Sequence, residues 1–150
     1  DYHHGNGTQS IFYGRSDVLF ISIHADPRVD YPFYLGHADE TGSGAGVGYT
    51  MNLPLAPGSS SATWFAALET ACLKIAMTRP QALVVSLGVD TFAHGNDPRF
   101  HLQGGDFLRI GERIAHLGLP TVFIFEGGAI SPELGIHTVN VLEGFETAAE

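Results

Sequence analysis

The sequence predicts an α/β fold, built on a parallel sheet with helices on both faces. Three short apolar runs are typical of strands buried on both faces. These runs are Asp17 to His24 (DVLFISIH), Ala82 to Gly88 (ALVVSLG) and Thr121 to Glu126 (TVFIFE). Segments with helical spacing separate the later runs, and strands that alternate with helices indicate a parallel sheet. The 150 residues are 44% hydrophobic and 15% charged, which suits a single well-packed domain.

The next elements follow from periodicity and from the residues that interrupt it. Thr50 to Leu55 (TMNLPL) is predicted as a further strand, and Pro54 places it at a sheet edge or near the end of the strand. The clearest helix is predicted from Ser59 to Arg79, because an apolar stripe recurs there at helical spacing and Pro80 prevents continuation.

Two further helices complete the pattern. Gly105 to Gly118 has apolar residues at helical spacing, with Asp106 as the expected N-cap. Val139 to Ala149 is predicted as a closing helix. The one long irregular stretch runs from His24 to Gly48 and is rich in glycine, aspartate and aromatic residues. Loops of this length in small domains are usually functional or disordered, and the aromatic residues argue against disorder.

Charge and cysteine content exclude several classes of function. The formal net charge of −9 disfavours binding to nucleic acid or to anionic membranes, and it suits a cationic ligand. No apolar run is long enough to span a bilayer. Cys72 is the only cysteine, which excludes an intrachain disulfide and a cysteine-based zinc knuckle. We therefore expect a cytoplasmic protein.

Three residues predict a metal site. Functional sites of open α/β sheets form at the carboxyl ends of strands, and Asp90 follows one such strand. Asp1 and His3 are two residues apart, so an extended backbone projects both side chains to one side. Together the three would supply two carboxylates and one imidazole with an open position, as a catalytic zinc requires. Asp90 alone would equally suit a helix cap or an Asx turn, so these residues leave both roles open.

A wider pattern carries a resemblance to a known family. The segments are DYHHGNGTQSIFY, SIHADPRVDYPFYLGHADETGSGAGVGYTMNLPL, VVSLGVDTFAHGNDP, and FEGG followed by VNVLEGF. In order and spacing they resemble the acetylpolyamine amidohydrolases, which belong to the zinc-dependent histone deacetylase family. The resemblance implies a three-layer fold of the arginase and deacetylase type. Residues 1–150 match the C-terminal portion of such a domain, so we expect that the natural N-terminal half is missing.

The resemblance also implies roles for individual residues. Asp1, His3 and Asp90 match the zinc ligands, and Tyr31 matches the aromatic residue that walls a channel for the acetylated amine. Packing of Tyr31 within its own loop is the ordinary structural alternative. Two structural monovalent cations, K⁺ or Na⁺, are implied as well. The residues matched to them are Ser22 at the first site and the backbone carbonyls of Phe12, Arg15 and Val18 at the second.

The implied reaction is metal-assisted hydrolysis of the acetyl amide of an acetylated polyamine or lysine. In this family, zinc polarises the acetyl carbonyl and lowers the pKa of a bound water. A histidine pair transfers protons, and a tyrosine donates a hydrogen bond to the developing oxyanion.

This chain departs from the family at two points. None of its eight histidines lies in the context of the histidine pair, which belongs to the N-terminal half. Glu126, Gly127 and Gly128 are followed by Ala129, where the family has its tyrosine. Loss of one oxyanion donor typically lowers the rate about 100- to 1,000-fold. We therefore expect little or no deacetylase activity from these 150 residues alone.

Other interpretations remain open at this point. A non-catalytic protein of the same fold that binds zinc and an acylated amine is favoured by Ala129. A ureohydrolase related to arginase is similar at Ile23 to Asp26 (IHAD), but its two-manganese site needs an aspartate-rich cluster that the segment around Asp90 does not supply. We also expect a homo-oligomer, because a missing N-terminal half would leave a strand edge and apolar surface uncovered.

Overall fold

Strands and helices alternate along the chain as predicted. The computed structural model describes residues 1–92, 99–128 and 132–149. Its helices are α1 (Asn6–Phe12), α2 (Ser61–Thr78), α3 (Gly104–Ala115) and α4 (Glu133–Ala149), and a short 3₁₀ turn spans Gly44–Gly46. Its strands are β1 (Phe20–Ala25), β2 (Thr50–Leu55), β3 (Leu83–Leu87) and β4 (Thr121–Phe125).

The predicted ends of the strands and helices agree best with the observed ends where a proline or a buried apolar run marks them. β2 has the predicted bounds, whereas β1 begins at Phe20 and not at Asp17, because the chain bends at residues 16–18 before the strand starts. Helix α4 begins at Glu133, well before the predicted start at Val139. Helix α1 was not predicted, since glycine disfavours helices and two glycines flank its first residue.

Helix α3 corrects the predicted cap. Gln103, rather than Asp106, is the N-cap residue, and Asp106 lies in the first turn of the helix. The Asp106 carboxylate accepts a hydrogen bond from the backbone N–H of Gln103 at 3.0 Å. This is the reciprocal contact of a capping box, so Asp106 still stabilises the helix start.

The strands form two parallel pairs, with β1 beside β2 and β3 beside β4. The first residues of the chain lie between the two pairs. The backbone carbonyl of Tyr2 accepts from the N–H of Ala25 at 2.8 Å, and the Asp1 nitrogen lies 3.3 Å from the Gly88 carbonyl. Asp1 and Tyr2 are thereby held beside the carboxyl ends of β1 and β3.

The core is shared between strands and helices. Helices α3 and α4 pack closely because glycines face the backbone of the neighbouring helix. A Cβ built at Gly111 would lie 2.0 Å from the Val141 carbonyl oxygen, and one at Gly144 would lie 2.0 Å from that of Leu108. The buried apolar residues of this core include Tyr2, Ala25, Leu68, Cys72, Leu87, Phe100, Leu102, Phe107, Ile110 and Val141. No helix in the described ranges is both long enough and apolar enough to cross a membrane.

Candidate metal centre

Asp1, His3 and Asp90 come together where the strands end. Each offers one ligand atom, and these atoms all lie within 4.8 Å of one another. Within residues 1–92, 99–128 and 132–149, this is the only such group of three or more His, Cys, Asp or Glu side chains. The structure therefore brings the three sequence-predicted residues together, and their binding of a metal stays a prediction.

Backbone groups hold both carboxylates. The N–H of His3 donates to Asp1 Oδ1 at 2.7 Å, and the N–H of Tyr2 donates to Asp90 Oδ1 at 3.0 Å. Arg99 Nη1 donates to the Asp90 carbonyl at 2.9 Å and lies 3.3 Å from Asp90 Oδ2. The two aspartates are thus oriented by short contacts, which reduces the rotamer freedom lost when a cation binds.

Gly127 forms one wall of the cluster. The pairing of β3 with β4 continues past the strand ends, because the N–H of Val89 donates to the Gly127 carbonyl at 3.1 Å. A Cβ built at Gly127 would lie 2.1 Å from Asp1 Oδ2 and 3.7 Å from Asp90 Oδ1. Only glycine leaves room for the Asp1 carboxylate in its present place. Ala129, which was predicted to stand at the tyrosine position, lies outside the described residues, so that prediction is untested.

The two ring nitrogens of His3 face different partners. Nδ1 lies 3.8 Å from Asp1 Oδ1, inside the cluster. Nε2 lies 3.2 Å from Asp30 Oδ1, on the long loop after β1. One nitrogen is therefore available to a cation while the other is engaged by a carboxylate.

Tyr31 lies beside the cluster. Its ring centroid is 5.8 Å from that of His3 in an edge-on arrangement, and the residue is 52% exposed. Phe33 and Tyr34 of the same loop are also exposed, and Phe33 has a positive φ of 68°. An aromatic rim thus stands next to the predicted ligands, and the role of Tyr31 as a channel wall stays a prediction.

A buried polar network stands behind the cluster. His4 Nε2 lies 2.9 Å from the Gln9 side-chain oxygen, and the Gln9 amide donates to Glu40 at 2.5 Å. The ring of His24 packs 4.6 Å from that of His4. Burial lowers the pKa of His4 and lowers that of His24 to about 4. Burial thus favours the neutral form of both imidazoles, which link α1, β1 and the long loop.

The predicted monovalent cation ligands are found around α1 and β1. Ser22 Oγ lies 2.8 Å from His24 Nδ1. The Phe12 carbonyl accepts from the N–H of Arg15 at 3.0 Å, and Val18 lies just before β1. These contacts do not test the binding of K⁺ or Na⁺, which stays a prediction.

Asp30 and Arg99 contact the cluster but were not predicted as site residues. Asp30 precedes the predicted channel residue Tyr31, yet nothing in the sequence indicates that its loop folds back onto His3. Arg99 reaches Asp90 from nine positions along the chain, and this contact depends on tertiary structure alone.

Comparisons with a family model and with individual known proteins point to the same family. Residues 1–142 match the family model described as the histone deacetylase domain. Acetylpolyamine amidohydrolase 1 of Pseudomonas aeruginosa is 60% identical over 149 residues, which cover 99% of this chain and 43% of that relative. The acetylpolyamine amidohydrolase of Mycoplana ramosa is 46% identical over 144 residues, covering 96% of this chain and 42% of that relative.

Solved structures agree with the predicted architecture. An acetylpolyamine aminohydrolase from Burkholderia pseudomallei superposes with a TM-score of 0.95 at 40% identity, covering 99% of this chain and 43% of that one. A histone deacetylase homologue from Aquifex aeolicus gives a TM-score of 0.86 at 26% identity, covering 100% of this chain and 40% of that one. These matches confirm the deacetylase-type α/β fold. The chain spans less than half the length of these relatives.

Proposed function

The chain belongs to the histone deacetylase family, and from that premise we propose that it forms the zinc-binding portion of a deacetylase for acetylated polyamines or lysines. Residues 1–150 would be the C-terminal portion of that domain. The observation that carries the proposal is the cluster of Asp1, His3 and Asp90, whose ligand atoms lie within 4.8 Å of one another. Two carboxylates and one imidazole leave an open position of the kind that a catalytic zinc needs.

Each residue of the cluster has a definite part in this proposal. Asp1, His3 and Asp90 would hold the metal, and Gly127 would keep space for the first of them. Bound zinc supplies Lewis-acid polarisation of the acetyl carbonyl and lowers the pKa of a water toward about 7. Tyr31, half exposed beside His3, would flank the aliphatic chain of the substrate. The net charge of −9 suits the cationic tail of a polyamine.

Turnover by this chain is expected to be slow or absent. Ala129 carries only a methyl group and cannot donate a hydrogen bond to a developing oxyanion. Loss of one such donor lowers the rate about 100- to 1,000-fold, roughly 3 to 4 kcal/mol of transition-state stabilisation. The family's histidine pair has no counterpart among the histidines of this sequence, so proton transfer loses its catalyst as well.

A second candidate function is favoured by the same alanine. A protein that binds zinc and an acylated amine without hydrolysing it would need the ligand cluster and the aromatic rim but no oxyanion tyrosine. Binding of an acetylated polyamine without measurable turnover, in a protein that also carries the N-terminal half, would select this function over hydrolysis.

The first experiment asks whether zinc binds at the cluster. We expect one zinc per chain by metal analysis, and we expect its loss in His3→Ala and in Asp90→Ala. His101→Ala is the matched control, because His101 is exposed and is not part of the cluster. Equal zinc content in all four proteins would contradict the proposed site.

The second experiment concerns Ala129. In a protein that also carries the N-terminal half, Ala129→Tyr should raise the hydrolysis of an acetylated polyamine about 100-fold or more, because it restores one oxyanion donor. Ala129→Phe is the matched control, since it adds the ring without the hydroxyl. An equal rate in both variants would contradict the placement of Ala129 at the tyrosine position.

Three accompanying proposals concern the rest of the molecule. K⁺ or Na⁺ would bind at Ser22 and at the carbonyls near Phe12 to Val18, and the protein would act in the cytoplasm. Self-association is supported by exposed apolar side chains on β3 and β4, such as Val84, which is 62% exposed, and Val122, which is 58% exposed. A monomer by light scattering at micromolar concentration would rule out the association.

A further inference from the structure

We propose that Asp30 is a positioning residue that orients His3, fixes the proton on its Nε2 atom, and ties this ligand to the loop that carries Tyr31. This inference rests on the proposed function, because His3 is one of the three proposed zinc ligands. It gives a role to Asp30, which is not part of the ligand cluster and was not indicated by the spacing of the motifs.

The geometry of His3 carries the first step. Its Nδ1 atom lies 3.8 Å from Asp1 Oδ1, within the cluster, whereas its Nε2 atom lies 3.2 Å from Asp30 Oδ1. A carboxylate accepts hydrogen bonds and does not donate them, so the contact with Asp30 requires a proton on Nε2. The lone pair of the neutral ring is then on Nδ1, which faces the proposed metal position.

A carboxylate behind a ligand histidine has a known physical effect. Histidines that bind metals generally donate their other ring N–H to a carboxylate, a carbonyl or a water, which fixes the ring orientation and raises its basicity. The side chains of His3 and Asp30 are 33% and 32% exposed, so the protein shields their contact from most of the competing water.

The same oxygen of Asp30 also holds the aromatic loop. Asp30 Oδ1 accepts from the backbone N–H of Tyr31 at 2.7 Å, and the ring of Tyr31 meets the ring of His3 edge-on. The backbone of Asp30 is anchored in turn, since its N–H donates to the Asp26 carbonyl at 3.1 Å and its carbonyl accepts from Phe33 at 3.1 Å. A single carboxylate oxygen therefore links the metal ligand to the wall beside it.

The neighbouring acids of this loop have other partners. The carboxylate of Asp26 forms an ion pair with Arg28, whose Nε lies 3.0 Å from Oδ1. Glu40 accepts from the Gln9 amide and from the backbone N–H of Gly36 at 2.9 Å. The contact between His3 and Asp30 is thus specific to one acid of the loop.

Zinc affinity of the intact protein tests the proposal. Competition with a chromophoric chelator should show a zinc Kd raised about 10- to 100-fold in Asp30→Ala, the usual loss when the partner of a ligand histidine is removed. Asp30→Asn should give a smaller rise, because its amide oxygen still accepts a hydrogen bond but carries no charge. Asp39→Ala removes an equal charge from an exposed position of the same loop and should leave the Kd unchanged within about twofold.

A second measurement separates positioning from a merely structural role. In the zinc-loaded protein, the ¹⁵N spectrum of the imidazoles should show His3 bound through Nδ1 and protonated on Nε2. Binding through Nε2 would overturn the proposal. So would an unchanged Kd in both Asp30 variants, provided that their far-UV circular dichroism matches that of the unmodified protein. No zinc binding by the unmodified protein would instead overturn the proposed function itself.

Discussion

Replacement of Gly127 by alanine should strongly weaken metal binding while leaving the fold intact. A Cβ at this position would lie 2.1 Å from Asp1 Oδ2, whereas real Cβ atoms do not approach other atoms closer than 3.0 Å. The Asp1 carboxylate must therefore retreat by about 1 Å, several times the tolerance of about 0.2 Å in metal–ligand distances. The backbone of Gly127 is not in the left-handed region, so alanine adds no strain of its own.

The expected change in zinc affinity is large because the atom that has to move is a proposed ligand atom of Asp1. Loss of a residue that merely supports a ligand lowers metal affinity about 10- to 100-fold, so displacement of a ligand should raise the zinc Kd at least about 100-fold. Stability should change by less than about 0.5 kcal/mol, because only the far end of a partly exposed side chain has to shift. Chelator competition measures the first quantity, and urea unfolding without metal measures the second.

Gly105→Ala is the matched control for this prediction. Nothing lies within 4 Å of a Cβ built at Gly105, so this variant should bind zinc like the unmodified protein. Unchanged zinc affinity in Gly127→Ala would show that the Asp1 carboxylate does not depend on this space. Loss of zinc together with unfolding of the variant would equally contradict the prediction.

Two further predictions concern stability. Gly144→Ala should destabilise the protein by about 1 to 3 kcal/mol in urea unfolding, because the new methyl group overpacks the contact of α4 with the α3 backbone. Gly135→Ala, on the same helix with open space around it, should stabilise by about 0.5 to 1 kcal/mol, and equal effects would argue against the close packing. Burial lowers the pKa of His137, so its neutral form is favoured in the folded state. The stability of the protein should therefore fall as the pH drops below about 6.5, because the unfolded chain then takes up a proton that the folded chain does not. His137→Phe should reduce the loss of stability between pH 7.5 and 5.5, and an unchanged loss would exclude this histidine as a cause.

The sequence allowed the position of a site residue to be predicted only where that residue directly follows a strand. Asp90 follows a buried strand, and parallel strands bring their carboxyl ends to a common edge, so a position near the other ligands could be expected. Asp1 and His3 could be assigned to one side of an extended segment by their spacing. Their place between two strand pairs could not, because it depends on the contacts of Tyr2 with Ala25.

Other features depend on tertiary contacts that leave no local pattern. Helix α1 contains a glycine, and its buried Gln9 is held by side chains far away in sequence, so propensity alone gives the wrong answer there. The prediction for the closing helix began only at Val139, whereas α4 begins at Glu133. Asp30 reaches His3 across 27 positions of the chain.

We expect metal binding and turnover to rest on different parts of this chain. The position of Asp1 is set by the backbone of two neighbouring segments, because Cβ atoms at Gly88 and Gly127 would lie 2.2 Å and 2.1 Å from it. Asp90 is oriented by the N–H of Tyr2, and none of these contacts uses the side chain at position 129. We therefore expect that an alanine at the proposed tyrosine position lowers turnover and leaves these contacts of Asp1 and Asp90 in place. If Ala129→Tyr changed the zinc Kd appreciably, this separation of binding from turnover would not hold.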